Sequence, residues 1–308
     1  MVQKIVVALD GSACAEKAVP VAVEIARATD SELILVGVVA DTPPVYAPCF
    51  VRPDVRAHVA HAQAYLERIA RSVPLAGVRV QPVVRRGTAV AGVLAEVEAQ
   101  RADLVVMSSH GRTGVSRWML GSVASQMVRQ SPVPVLVVTE RNQASALRAI
   151  AGHEAIRALV ALDGSPEAEA AIEPAMHLLS ALAPATVAHV LHLARIVASP
   201  GSLEEARAYL TYVAAKLEDS LAAARIRIET TAEASPDAAT RLIEIASQQN
   251  GGEALIYAFI AVATRGRREY APGSLENVAA RLLVTSPTPV VTVEPRRAAE
   301  RVENVRSV

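Results

Sequence analysis

VALDGSACAEKAV, from Val7 to Val19, and VALDGSPEAEAAI, from Val160 to Ile172, are identical at nine of thirteen positions. A second pair repeats near the far ends of the same segments: SPVPVLVV begins at Ser131 and SPTPVVTV at Ser286, 155 residues later, against an offset of 153 at the start. Matches in register at both ends of two long units identify an internal duplication. The 308 residues are then two domains of one type, as expected at a length where single cores stop growing. The boundaries read as 1–140 for the first domain, 141–155 for a linker centred on Arg141 to Gly152, 156–295 for the second domain, and 296–308 for a charged tail.

Strand-like and helical runs alternate within each unit, which points to βαβ crossovers and a parallel sheet. In the first unit, strands are expected near Lys4–Leu9, Glu32–Val39, Arg79–Val84, Asp103–Met107 and Val135–Val138. Helices are expected near Ala13–Ala28, Asp54–Ser72, Ala89–Gln100 and Ser122–Gln130, with Pro20 kinking or delaying the first. The second unit should start that helix more cleanly, with Ser165 as N-cap and Pro166 at the first helical position. The fold class is α/β: two tandem open, mostly parallel five-stranded sheets flanked by helices, in a Rossmann-like arrangement.

Composition agrees. Hydrophobic residues make up 52% and aromatics only 3%, so Ala, Val, Leu and Ile must fill the cores, as suits strands buried on both faces. Lys plus Arg equals Asp plus Glu, for a formal net charge of zero. A neutral chain without interleaved aromatic and basic residues is a poor nucleic-acid or anionic-membrane binder. Cys14 and Cys49 make no disulfide framework, and no metal-ligand spacing occurs. The longest apolar stretch, Met176 to Ala198, contains Pro184, three histidines and Arg195, which suits a helix end and a buried strand better than a membrane span. The start shows no signal-peptide layout, and a cytoplasmic location is expected.

The chemically informative segment is MSSHGRTGVSRWMLGSVASQMVRQSPVPVLVV, Met107 to Val138. A strand ends at Met107, a loop with Gly111 and Gly114 follows, and Gly121-Ser122 opens an amphipathic helix. Glycines admit close approach of an anion and left-handed dihedrals. Unpaired N–H groups at a helix start favour negative charge. The Ser122 hydroxyl can donate to a phosphate oxygen, and Arg112 and Arg117 offer positive charge. No Gly-Lys-Ser/Thr occurs, so this is not a Walker A loop.

Here the sequence resembles the universal stress protein family, and in particular its ATP-binding branch, which carries Gly-x-x-Gly, nine residues, then Gly-Ser or Gly-Thr. Gly111, residues 112–120 and Gly121-Ser122 fit that spacing, with Ser108 standing where the first glycine would be. The resemblance covers nearly the whole chain twice, through the opening LDGS and the closing PVPVLVV. It implies a sheet of the adenine-nucleotide α-hydrolase type and a site for ATP, with or without Mg²⁺. By the resemblance, Asp10 faces the ribose or adenine, with Ala8, Leu9 and Val38 as base contacts and Gly11 and Ser12 in the adjoining turn. Met107, Ser108, His110, Gly111, Arg112, Gly114, Gly121, Ser122 and Val123 then complete the nucleotide set. Asp10-Gly11-Ser12 also reads as a turn and helix cap alone, and His110 as a capping or surface histidine. Trp118 and Met119 read as packing residues, and Cys14 as a small hydrophobe.

The second unit departs from this pattern. Ungapped, LGSVASQMV (Leu120 to Val128) aligns with LENVAARLL (Leu275 to Leu283), so Glu276 replaces Gly121 and Asn277 replaces Ser122. Glu269 stands for Gly114 and Ala263 for Ser108. Each like-charge contact with a phosphate oxygen at ~5 Å costs ~3 kcal/mol at an effective dielectric near ~20. A rival alignment on Gly273-Ser274 needs a deletion and a compensating insertion. One competent site per chain is expected. The resemblance implies a nucleotide-dependent stress-response regulator; a slow ATP hydrolase and a scaffold without nucleotide are the alternatives. No histidine–carboxylate–nucleophile arrangement stands out, so no catalytic residue is assigned. Stand-alone members of the family resemble dimers joined through the last strand. Pro132–Val138 and Pro287–Val293 could therefore pair as an intramolecular pseudo-dimer, with a further homodimer left open.

Overall fold

A computed structural model describes residues 2–41, 55–72, 77–111, 120–151, 156–182, 189–222, 226–247, 256–264 and 275–295. The first unit runs β1 (Lys4–Leu9), α1 (Ala13–Glu16), α2 (Ala18–Thr29), β2 (Glu32–Val39), α3 (Val55–Ser72), β3 (Arg79–Arg86), α4 (Ala89–Gln100), β4 (Leu104–Ser108), α5 (Ser122–Gln130) and β5 (Val135–Val138). After α6 (Gln143–Ala151), the second repeats it: β6 (Ile156–Leu162), α7 (Pro166–Glu169), α8 (Ile172–Leu182), β7 (His189–Val197), α9 (Leu203–Ala222), β8 (Ile226–Ala234), α10 (Ala238–Ser247), β9 (Ile256–Ala263), α11 (Leu275–Thr285) and β10 (Val290–Val293). The chain is a mixed α/β protein of two tandem Rossmann-like units.

Among the described residues, the strands form one ten-stranded sheet ordered β3-β2-β1-β4-β5-β10-β9-β6-β7-β8. Within each half all pairings are parallel; only β5 and β10 run antiparallel, with Val290, Val291 and Thr292 opposite Val137, Leu136 and Val135. The two five-stranded sheets expected from the duplication are therefore continuous through their last strands. Every residue of β5 and β10 is buried, so the junction lies inside the apolar core. Pairing there satisfies two strand edges that would otherwise stay open.

Local structure departs from the sequence reading in instructive ways. The first helix is two helices, broken at Lys17, with Pro20 third in α2. A proline in the first turn removes no helical hydrogen bond, whereas in mid-helix its ring would meet the carbonyl four residues back. The second unit breaks in the same way, with Pro174 third in α8, although Ser165 caps α7 and Pro166 opens it as expected. Strand β3 continues to Arg86, and β4 is shifted one residue onward, to Leu104–Ser108. Asp103 is instead a side-chain anchor: its carboxylate accepts the Gln3 and Lys4 N–H groups at 2.8 and 3.2 Å, tying the starts of β1 and β4 together.

The segment read as a linker contains α6, whose Ala146 and Ala149 are buried. The Gln143 side chain donates to the Lys17 carbonyl at 3.0 Å, and the Ser145 hydroxyl to the Pro287 carbonyl at 2.7 Å. This connection packs on both units. The tail at 296–308 and Cys49 lie outside the described residues.

Candidate nucleotide site

Strand order reverses on either side of β1, which lies between β2 and β4. Helices leaving neighbouring strands on opposite faces diverge there and open a crevice at the carboxyl ends. A cavity of about 600 Å³ occupies this crevice. It is lined by Ala8, Leu9, Asp10, Gly11 and Val38 from the first half of the unit, and by Met107, Ser108, His110, Gly111, Gly121, Ser122 and Val123 from the second. The structure thus brings together twelve of the residues singled out above. Arg112 and Gly114, with Arg117, Trp118 and Met119, lie outside the described residues.

Ser12 does not line the cavity. Its hydroxyl donates to Asp10 Oδ1 at 2.6 Å and accepts the Ala15 N–H at 3.1 Å, while its own N–H donates to the same Asp10 oxygen at 3.0 Å. Asp10 Oδ1 is therefore held from two sides, and Gly11 at φ 84° supplies the left-handed turn that makes this closure possible. The turn and the cap are real, and the aspartate also faces the cavity.

The glycines of the loop are needed for close approach. A Cβ at Gly111 would stand 2.2 Å from Asp10 Oδ2, and one at Gly121 would stand 3.0 Å from the Ser109 carbonyl oxygen. Neither residue has left-handed backbone, contrary to the dihedral reason given above; Gly121 has φ −58°. The Gly121 N–H donates to that same Ser109 oxygen at 2.8 Å, folding the start of α5 back against the end of β4. Gly121 provides no side-chain cap, so α5 opens with its first amides at the cavity wall.

The end of β4 is fastened by hydroxyls. Ser108 donates to the His110 carbonyl, and the Ser109 hydroxyl pairs with His110 Nδ1 at 2.9 Å. His110 Nε2 is enclosed without a hydrogen-bond partner among the described residues. An enclosed nitrogen without a partner carries a desolvation cost that a bound polar group would relieve.

Sequence reading missed several contributions, two of which shape the site most clearly. The first is α3: His58, His61, Ala62 and Tyr65, spaced as one helical face, form a wall of the cavity. Projecting that stretch on a helix would have shown histidines and a tyrosine along one stripe. Burial, and next the nearby Glu16 and then Asp10 carboxylates, hold the Tyr65 phenol above its ordinary pKa, against the opposing pull of Arg68. The second is Gly92 of α4, where an added Cβ would lie 2.8 and 2.9 Å from the two Val38 methyls. Val38 keeps its place only because α4 has no side chain there.

No group of three or more His, Cys, Asp or Glu residues suited to a metal ion occurs among the described residues. No helix among them is long and apolar enough to cross a membrane.

Comparison with known proteins agrees with this architecture. Residues 1–139 and 156–294 each match the universal stress protein family. The universal stress protein MJ0531 of Methanocaldococcus jannaschii is 30% identical over 138 residues, which are 44% of this chain and 81% of that protein. YxiE of Bacillus subtilis, also a universal stress protein, is 29% identical over 147 residues, 45% of this chain and 99% of the relative. Over the full length, a universal stress protein from Archaeoglobus fulgidus superposes with a TM-score of 0.68 at 18% identity, covering 95% of this chain and 98% of that one. Matched twice along its length and carrying the fold in both halves, the chain belongs to the universal stress protein family.

Proposed function

We propose that the first unit binds an adenine nucleotide, ATP in the leading case, and that the chain acts as a nucleotide-dependent stress-response regulator. The observation that carries this reading is the convergence on one cavity of the Asp10 carboxylate and the uncapped start of α5. A carboxylate suits ribose hydroxyls, and helix-start amides suit phosphate oxygens. The residues fit the ligand: Gly111 and Gly121 line the cavity without side chains, and His110 Nε2 has no hydrogen-bond partner among the described residues.

In this reading Asp10 positions the ribose, Ala8, Leu9 and Val38 line the base, and Gly121, Ser122 and Val123 offer amides and a hydroxyl to the phosphates. A magnesium ion carried with the nucleotide would neutralise part of the phosphate charge. The protein's own task is to bind and orient. Binding biases a regulatory equilibrium only if ATP prefers one conformation of the surrounding surface. The domain limits 1–140 and 156–295 belong to the same proposal, as does a single competent site per chain.

The test is direct. Freshly purified protein is denatured and any released nucleotide identified by chromatography, and ATP is titrated calorimetrically into wild type and Gly121→Glu. Binding that is lost in the variant supports the site. Equal affinity in both would place the ligand elsewhere.

A further inference from the structure

The second unit repeats the Asp-Gly-Ser turn but fills the space above it. Asp163 Oδ1 accepts the Ser165 N–H and hydroxyl at 2.8 and 2.5 Å, and Gly164 has φ 89°, as Gly11 has 84°. In the first unit Leu9 pairs with Gly37 of β2, and in the second the equivalent Leu162 pairs with Arg195 of β7. The position that is glycine in one sheet is thus arginine in the other.

Arg195 is only 5% exposed. Its guanidinium lies directly on the turn: a Cβ at Gly164 would stand 2.9 Å from Arg195 Cζ and 3.0 Å from Nη2. The same group donates to Glu205 at 3.1 Å and stacks over the Tyr209 ring, 5.1 Å from its centre. Tyr209 in turn donates to Glu169 at 3.2 Å. These partners have counterparts around the first cavity. Glu169 and Asp163 repeat Glu16 and Asp10, and Tyr209 faces that pair as Tyr65 does. Counting back one helical turn from each tyrosine, Glu205 on α9 takes the place of His61 on α3. Gly37, His61 and Tyr65 line open space in the first unit. In the second, Arg195 takes that place, bonded to Glu205 and stacked on Tyr209.

We infer that Arg195 is an internal occupant of the second unit, closing the nucleoside half of that site with a side chain held by Glu205 and Tyr209. Closure therefore precedes any question of phosphate binding at α11. The buried cation has a carboxylate partner and an aromatic face, so the desolvation it suffers is offset where it sits. Gly164 shares the left-handed dihedral of Gly11, so the Asp-Gly-Ser turn persists in the second unit with a guanidinium lying on it.

The inference rests on the nucleotide reading of the first cavity, and a reciprocal exchange tests both separately. Gly37→Arg introduces the occupant into the first unit, where a Cβ meets only Leu66 at 3.4 Å, an ordinary contact. Calorimetry with ATP should show one site in wild type and none in Gly37→Arg, with circular dichroism unchanged. Arg195→Gly should open a second cavity, visible in a crystal structure, and raise the stoichiometry of adenosine from one to two per chain. Adenosine is the probe because it presents no phosphate to the acidic start of α11. Arg195→Met, which keeps bulk without charge, should leave the stoichiometry at one. Wild-type affinity in Gly37→Arg, or an Arg195→Gly structure in which α9 has collapsed over Gly164, would overturn the inference. Absence of ATP binding by wild type would sink the nucleotide reading, while the Arg195→Gly structure would still decide whether Arg195 holds the space.

Discussion

Gly111→Ala tests whether the loop glycine is dictated by the aspartate across from it. The added methyl would stand 2.2 Å from Asp10 Oδ2, where ordinary contact begins near 3.4 Å. Asp10 cannot simply rotate away, because its other oxygen holds the Ser12 N–H and hydroxyl at 3.0 and 2.6 Å. Either the loop retreats or the turn loosens. Overpacking of this kind costs ~1–3 kcal/mol, and loss of the two Ser12 hydrogen bonds would cost ~1 kcal/mol each. Gly111→Ala should therefore destabilise the chain by about 2 kcal/mol, measured from urea midpoints at constant slope. Asp10→Ala removes the obstacle and forfeits the turn. In that background Gly111→Ala should cost almost nothing, giving a coupling of ~1–3 kcal/mol in a double-mutant cycle. Strict additivity of the two changes would refute the reasoning, since it would mean that the loop accommodates the methyl without meeting Asp10.

Gly92→Ala should push Val38 from its place, lowering stability by ~1–3 kcal/mol and weakening nucleotide binding in the same calorimetric assay; an unchanged midpoint would show that Val38 has a second rotamer available. His192 is held neutral, its pKa lowered to about 4 chiefly by burial and also by Arg157, against the pull of Glu229 and Glu233. Both ring nitrogens meet hydroxyls, those of Tyr257 at 2.6 Å and Thr231 at 2.8 Å. The unfolded chain takes up this proton as pH falls below 6.5 and the folded chain does not, so stability declines between pH 6.5 and 4. The contribution is ~3 kcal/mol, and it should vanish from the pH profile of His192→Gln. Leu136→Pro places a proline between β4 and β10 at the central junction; with a cost of ~3 kcal/mol or more, it should make the chain protease-sensitive near α6.

The sequence by itself determined the duplication, the alternation of strands and helices, and the Asp-Gly-Ser turn, because each is written in short-range spacing. Twelve of the residues that line the cavity were also named, the loop and helix start from the glycine–serine spacing and Ala8, Leu9, Asp10 and Val38 through the family resemblance. What it could not determine is which contacts across the fold make a residue necessary. Gly111 and Gly121 were legible as glycines, but their reason is the approach of Asp10 and Ser109 rather than a left-handed dihedral. Gly92 is ordinary in a helix sequence until α4 is laid on Val38. The deepest difference between the two units is Arg195, 31 positions from Gly164 in the chain and in contact with it in space. Tertiary structure decided that difference, because whether a cavity is open depends on which side chain the neighbouring strand delivers into it.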